Sequence, residues 1–280
     1  MKWLVYGGKG WIGSQVVELL QGEDIVLSQC RANDEKEVEM ELIEVQPDRV
    51  ISLIGRTHGP GIPTIDYLEQ KGKLQENIQD NLYSPLVLAL LCTKHKIHFT
   101  YLGTGCIFNG YPTQGYTESD SPDFFGSSYS IVKGFTDRLM HFFEDSVLNV
   151  RIRMPIVGSI HPRNFITKIM HYSKICSMPN SMTVLPELLP IMIDAAKKQI
   201  TGTLNLVNPG MISHNEILEM VKQYVDPDFT WTNFTLEEQD KILLSGRSNN
   251  LLNTDRLEKL YPNVLPIKES IENILKSYKK

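Results

Sequence analysis

The chain has 280 residues, of which 41% are apolar and 22% charged, with a formal net charge of −5 at pH 7. That is an ordinary globular composition, long enough for one large domain or two intimately joined lobes. The mild acidity excludes the basic stripe with which nucleic-acid binders meet phosphate, and the one basic cluster, Lys276 with Lys279 and Lys280, reads as a solvated tail.

Met1-Lys2 runs directly into the apolar segment Trp3-Leu-Val-Tyr6, which predicts a strand at once and no leader segment. Glycines at 7, 10 and 13 follow, and then the helical pattern Val16, Val17, Leu19, Leu20. Glycines collect in turns for conformational reasons alone. Between a strand and a helix, however, the Gly-x-x-Gly-x-x-Gly spacing predicts a dinucleotide site: Gly7 makes the tight turn, Gly10 admits the pyrophosphate, Gly13 packs helix on strand, and Trp11 and Ile12 share the phosphate-facing loop. The second strand, Asp24–Ser28, does not end in the Asp or Glu that would hold the free ribose hydroxyl of NAD. It runs on to Arg31, whose guanidinium suits a 2′-phosphate, so NADPH is expected ahead of NADH. The alternative for Arg31 is a plain surface residue.

Arg49–Ile54 and Ile97–Leu102 predict further strands around a long helical stretch from about Leu74 to Lys94. The alternation predicts an α/β fold with a Rossmann-type, doubly wound parallel sheet. Arg56 follows the third strand, where such sheets hold ligands, and is expected near the cofactor. Asn81 is either functional or a polar residue on the exposed side of its helix. The longest apolar run, Pro85–Cys92, is far short of the roughly 20 residues that span a bilayer, so no membrane segment is expected. Cys30, Cys92, Cys106 and Cys176 lack metal-ligand spacing, which predicts neither a metal site nor a disulfide framework and suits a reducing cytoplasm.

Ser127–Lys133 opens a predicted helix continuing through Phe135, Leu139 and Phe142. Tyr129 and Lys133 are four apart and share a face. An ammonium beside a phenol favours its ionised form, which suits a proton donor to a ketone. Thr104, at the end of the preceding strand, adds a second hydrogen bond to the same carbonyl oxygen or merely caps the turn. Cys106, two residues on, is a second acid or base, or a small apolar filler. After Pro155 the elements shorten, which places a dinucleotide-binding domain at 1–155 and a smaller C-terminal substrate lobe at 156–280, interwoven with late elements of the sheet. Ser213 and Glu216 predict a capping box. Trp231 and Phe234 either stack on a base or belong to a core.

With these motifs the chain resembles the extended short-chain dehydrogenase/reductases. Thr104-Gly-Cys-Ile-Phe108, Arg163-Asn-Phe-Ile-Thr-Lys168, Pro179-Asn-Ser-Met-Thr183, Asn208-Pro-Gly, Ser213–Glu219 and Arg247-Ser-Asn-Asn250 narrow the likeness to the nucleotide-rhamnose synthase epimerase/reductases, from Gly7 to about Glu269. The resemblance implies conversion of UDP-4-keto-6-deoxyglucose to UDP-L-rhamnose. It implies Cys106 as the base of a proton-transfer pair and Lys168 as its acid counterpart, with Thr104 and Tyr129 on the oxyanion. His161 and His171 compete with Lys168, because fucose-type relatives use histidine there. Asn164, Arg247 and Asn249 are expected around the UDP-linked substrate, although an arginine that binds loop carbonyls is the alternative for Arg247. A separate UDP-glucose 4,6-dehydratase is expected upstream, and a homodimer is compatible with the chain. The rivals are a monofunctional reductase of the dTDP-rhamnose type and a non-catalytic regulatory subunit.

Overall fold

Alternate residues of the first strand, β1 (Lys2–Tyr6), feed two different cores: Trp3 and Val5 face one side, Leu4 and Tyr6 the other. A strand buried on both faces belongs inside a parallel sheet covered by helices. The computed structural model describes residues 1–278; Lys279 and Lys280 of the basic C-terminal cluster lie outside the described residues.

From β1 the chain passes through α1 (Trp11–Leu19), β2 (Asp24–Leu27), α2 (Glu35–Val45) and β3 (Arg49–Ser52). A long connector with a 3-10 turn (Ile65–Glu69) leads to α3 (Leu74–Ile78), a π-turn (Gln79–Tyr83) and α4 (Ser84–Lys94). Then come β4 (His98–Thr104), α5 (Ser128–Met140) and β5 (Val147–Ile152). All pairings in the six-stranded sheet are parallel, and the order is β2-β1-β3-β4-β5, completed by β8 (Gly202–Asn205). The order reverses between β1 and β3, which puts a ligand crevice at their carboxyl ends.

The remaining elements are β6 (Pro155–Ile156), α6 (Phe165–His171), β7 (Thr183–Val184), α7 (Leu185–Lys197), α8 (His214–Tyr224), α9 (Leu236–Asp240), α10 (Asp255–Leu260) and α11 (Ile267–Lys276). α7 packs back on the large sheet beside α1, and β8 completes its edge, so the chain after 155 contributes to the main body. A smaller core gathers Ile156, Ile166, Val184, Ile217 and Ile271 from β6, α6, β7, α8 and α11. Ser213 and Glu216 form the expected capping box on α8. Trp231 takes the core alternative: it packs at the edge of this smaller core and donates to Asn215 Oδ1 at 3.0 Å.

The expected helical stretch from 74 to 94 is helical throughout, with a π-turn in its middle, and Asn81 in that turn is buried instead of lying on an exposed side. Its amide clamps Arg56 by accepting from the backbone N–H and donating to the carbonyl, both at 2.9 Å. Phe135 and Phe142 are the opposite case, apolar in sequence yet solvent-facing on and after α5.

Helix α5 is anchored by a buried ion pair. Arg151 on β5 binds Asp137 through Nε at 2.8 Å and Nη2 at 2.7 Å, and Asn149 donates to the same carboxylate at 2.9 Å. Removing one partner of a buried pair leaves the other charge without compensation, which typically costs about 3–5 kcal/mol. Asp137→Asn is therefore expected to lower unfolding stability by about 3 kcal/mol in urea titrations of the ligand-free protein; a loss below about 1 kcal/mol would show that the pair does not anchor the helix.

Candidate active site

β4 runs to Thr104 itself, so Thr104 stands at the carboxyl edge of the sheet and Cys106 on the turn beyond it. Thr104 Oγ1 accepts from the Cys106 N–H at 3.1 Å, the turn-capping role that was its alternative, and Ser130 Oγ donates to the Cys106 carbonyl at 2.7 Å. The second bond ties the thiol's turn to the first turn of α5, where Ser127 caps the helix and Tyr129 follows. Tyr129 and the half-buried Cys106 pack in one cluster beneath the connector residues Tyr67, Leu68, Ile62 and Ile65.

This connector forms a strap over the site, fastened by two carboxylates. Glu69 accepts from the Ser128 N–H at 2.7 Å and its hydroxyl at 2.6 Å, at the helix end where an anion is favoured. Asp66 accepts from Arg247 Nη2 at 2.6 Å, Thr64 Oγ1 at 2.6 Å and Ser245 Oγ at 2.7 Å. Burial by itself would raise the Asp66 carboxyl, but Arg247, Thr64 and Ser245 together hold it well below the usual carboxylate range. Neither carboxylate carries a local sequence signature.

Burial governs protonation at the reaction centre. It pushes the Tyr129 phenol up, the Cys106 charge adds to this, and a hydrogen bond from Thr104 opposes it. Tyr129 therefore keeps its proton through neutrality, as an acid should. Burial draws the Lys133 ammonium down to about 7, against the charges of Asp137 and Cys106. The expected pairing of Lys133 with Tyr129 is not made. Lys133 Nζ instead donates to Tyr101 Oη and lies 4.6 Å over that ring.

The other expected residues divide into free and engaged groups. Lys168, half-buried on α6, makes no hydrogen bond or ion pair among the described residues; burial, followed by Arg163 and Arg247, lowers its ammonium pKa. His161 stacks on Trp11 with ring centroids 4.9 Å apart, and its Nδ1 accepts from the Arg163 N–H. His171 is exposed and turned 2.7 Å from its own helix's Thr167 carbonyl. No hydrogen bond joins Lys168 to Cys106 among the described residues. Asn164 corrects an expectation: fully buried, it caps α6 and donates to the Val157 and Ser159 carbonyls, which leaves its amide nothing to offer a substrate. Asn249 is partly engaged: its Oδ1 accepts from Asn180 at 2.9 Å, and its Nδ2 lies 3.4 Å from the Arg247 carbonyl. Arg247 is engaged by Asp66 as well as by the Ser245 carbonyl, 2.9 Å from Nη1. His58, missed in the sequence because a lone loop histidine has no motif, sits 2.6 Å from Arg163 Nη2 and lines a cleft of about 540 Å³ with Gly55, Arg56, Asp80 and Arg163.

The amino-terminal loop fits a dinucleotide. Gly7 has φ +75°, and a Cβ on Gly13 would stand 2.1 Å from the Gly7 carbonyl oxygen, so both positions exclude side chains. Arg31 is exposed past β2, with no side-chain hydrogen bond among the described residues. Its loop is held by Glu41 of α2, which accepts from Ser28 Oγ at 2.8 Å and the Gln29 N–H at 2.9 Å. Arg56 is partly committed, with Nε 2.6 Å from Asp80.

The family model for the RmlD substrate binding domain matches residues 1–175. The chain belongs to that family. Protein L780 of Acanthamoeba polyphaga mimivirus is 58% identical over 286 residues, covering all of this chain and 99% of its own. The crystal structure of the L780 UDP-rhamnose synthase superposes with a TM-score of 0.98 over 99% of both chains. A bifunctional dTDP-4-dehydrorhamnose 3,5-epimerase/dTDP-4-dehydrorhamnose reductase of Arabidopsis thaliana is 42% identical, covering 96% of this chain and 90% of its own. A trifunctional UDP-glucose 4,6-dehydratase/UDP-4-keto-6-deoxy-D-glucose 3,5-epimerase/UDP-4-keto-L-rhamnose-reductase of the same plant is 41% identical over 97% of this chain, which spans 41% of that protein. The Rossmann-like architecture of this RmlD-family chain is thus shared along its whole length.

The strap gives a pH test. The Asp66 carboxyl is depressed in the folded protein, so its contribution is present above the unfolded pKa of about 4 and is lost as pH falls toward the folded value. Asp66→Asn is expected to cost about 1 kcal/mol at pH 7 by chemical denaturation, and the gap from wild type should narrow as pH falls below about 4. A gap independent of pH would mean that the charge does not fasten the strap.

Proposed function

We propose that the chain is a 3,5-epimerase/4-reductase that converts UDP-4-keto-6-deoxy-D-glucose to UDP-L-rhamnose with NADPH. The observation that carries this reading is the single buried cluster in which Cys106 packs with Tyr129, the proton donor of a reductase. A reductase alone needs Thr104, Tyr129 and Lys133; the thiol is the surplus group.

The chemistry of a 4-keto sugar accounts for it. The ketone acidifies the protons at C3 and C5, so Cys106 can remove one as base while the C4 oxygen takes up negative charge. Thr104 and Tyr129 offer that oxygen hydrogen bonds. Lys168, with its lowered affinity for its proton, returns one to the opposite face of the carbon, and the configuration inverts. Its freedom from other partners favours it over His161 and His171. NADPH, when bound, supplies the hydride for C4. Tyr129 then gives its proton to the C4 oxygen, with the charge of Lys133 close by to steady the phenolate left behind. Gly7, Gly10, Trp11, Ile12 and Gly13 would hold the cofactor's pyrophosphate, and Arg31 its 2′-phosphate. Arg247 is the member of the expected substrate set that still fits a diphosphate contact.

UDP is favoured over dTDP by the 58% identity to a UDP-rhamnose synthase. The substrate calls for a UDP-glucose 4,6-dehydratase upstream, an activity in the name of the trifunctional relative. A cytoplasmic location fits the four free cysteines, and among the described residues no helix is long and apolar enough to cross a membrane.

Incubation of the purified protein with the UDP- and dTDP-linked keto sugars and NADPH in heavy water tests the whole reading. Deuterium at C3 and C5 with NADPH consumption supports it. Consumption without label would leave a monofunctional reductase, and neither would leave a non-catalytic chain. Cys106→Ser is expected to slow exchange at C3 and C5 by about 10²-fold or more while NADPH still binds, whereas Tyr129→Phe should slow reduction by a similar factor and leave exchange the less affected. Equal loss of both activities in the cysteine variant would contradict this division of labour. Arg31→Ala is expected to raise KM for NADPH by about 10-fold or more and to leave KM for NADH unchanged; parallel changes would remove Arg31 from the 2′-phosphate site.

A further inference from the structure

β4 carries a buried titratable group for which the reaction above has no use. Tyr101 is 1% exposed and points toward the α4 and α5 side of the sheet, while its neighbour Leu102 points to the other. A phenol surrounded by a core needs a hydrogen-bond partner. Its partner is Lys133, whose Nζ donates to Tyr101 Oη and also lies 4.6 Å from the ring centroid. Tyr101 thus offers the ammonium an oxygen lone pair and a negative ring face together. Among the described residues, that oxygen is the one hydrogen-bond acceptor Lys133 has. Lys133 is 4% exposed, so water does not supply the remainder cheaply.

We infer that Tyr101 is a positioning residue for the reduction: its phenol oxygen fixes the Lys133 ammonium on the inner side of α5, one helical turn from Tyr129, and keeps it charged beside the phenol that gives up its proton. The inference rests on the reading of Tyr129 as the proton donor. Tyr101 touches no reacting atom and acts through Lys133 alone.

The charge around this ammonium is closely balanced. Cys106 acts on it from the turn after β4 and Asp137 from its own helix, while Tyr129 and Asp137 act on the Tyr101 phenol. Asp137 is bound bidentately by Arg151 of β5. The carboxylates of the α3 and π-turn stretch, Glu76 and Asp80, are paired with Arg56, and Glu69 of the strap is spent on Ser128. No free carboxylate is therefore at hand to replace Tyr101, and burial has already drawn the ammonium down to about 7. The hydrogen bond and the ring face that Tyr101 gives this ammonium both favour its charged form.

Tyr101→Phe tests this, because it keeps the ring and removes the oxygen alone. The first readout needs no substrate: the NMR titration of the lysine ε-carbon of Lys133 in the ligand-free protein, assigned by Lys133→Met. The wild-type midpoint is expected near 7, and the Tyr101→Phe midpoint about one unit lower, the size of one charge-assisted hydrogen bond. The second is NADPH consumption with the keto sugar, where the basic limb of the kcat profile should move down with the lysine, by roughly fivefold in rate at pH 7, while KM for NADPH holds. A midpoint that stays put in the variant, or an activity loss expressed in KM instead of kcat, would each overturn the inference. Should Tyr101→Phe not fold, Tyr101→Met is read by the same titration, with the same downward shift expected and an unmoved midpoint overturning the inference. Failure of the proposed function shows separately, as absence of turnover by the wild-type protein.

Discussion

Arg153 is a guanidinium with 1% exposure and no carboxylate partner among the described residues. A guanidinium does not shed its proton when buried, so its donors must be met by oxygen wherever they point. Nη1 reaches the Gly105 carbonyl at 2.9 Å and Ser248 Oγ at 2.8 Å; Nη2 reaches Asn180 Oδ1 at 2.6 Å and the Ser248 carbonyl at 3.0 Å; Nε faces the Ser181 carbonyl at 3.3 Å. Three segments remote in sequence are thereby forced onto one planar fork. One of them is the Thr104-Gly-Cys turn, whose path fixes where the thiol can be. Gly105 is part of the same constraint, since a Cβ there would come within 3.1 Å of the Arg153 side chain and 2.6 Å of Leu252. The turn that carries the proposed base is positioned from beneath by an arginine and from the side by Ser130.

Burial then sets the proton inventory of the site in two directions. It makes the Tyr129 phenol hold its proton more tightly and makes Lys133 and Lys168 hold theirs less tightly. Desolvation penalises whichever form is charged, so a neutral acid and weakened ammonium groups follow from one cause. A chemistry that alternates proton removal, proton return and ketone reduction needs groups whose affinities lie within reach of neutral pH. The strap residues Tyr67 and Leu68 pack with Tyr129 and so share in the burial that sets its affinity.

The parts legible in the sequence are those whose signal is local. β1, its glycine loop and α1 announce themselves because period-two burial, φ > 0 and helical periodicity occur within twenty residues, and Ser213 with Glu216 marks α8 for the same reason. Tyr129 and Lys133 were found by spacing, but spacing cannot say which phenol the ammonium chooses. Tyr101 sits in an apolar strand and reads as core, which it also is. Asp66 and Arg247 are separated by 181 residues, and no periodicity links them. Asn164 misleads because an amide in a run that resembles a known family's suggests recognition, whereas the start of α6 inside the protein uses the Asn as its cap. The π-turn at Gln79–Tyr83 is a one-residue departure from helical register that composition does not encode, and it carries Asn81 inward.

The strap also constrains how an anionic substrate can enter. Arg247, the arginine proposed for a diphosphate, is half-buried, and its fork is held by Asp66 at 2.6 Å. An anion arriving there must either share the guanidinium or displace the carboxylate, and Asp66 released beside a second negative charge is repelled. Asp66 is three residues from Glu69, and Glu69 is the group on the first N–H of α5, next to Tyr129. Asp66 and Glu69 thus put one short segment between Arg247 and the first turn of α5, so that a change at either carboxylate bears on both contacts.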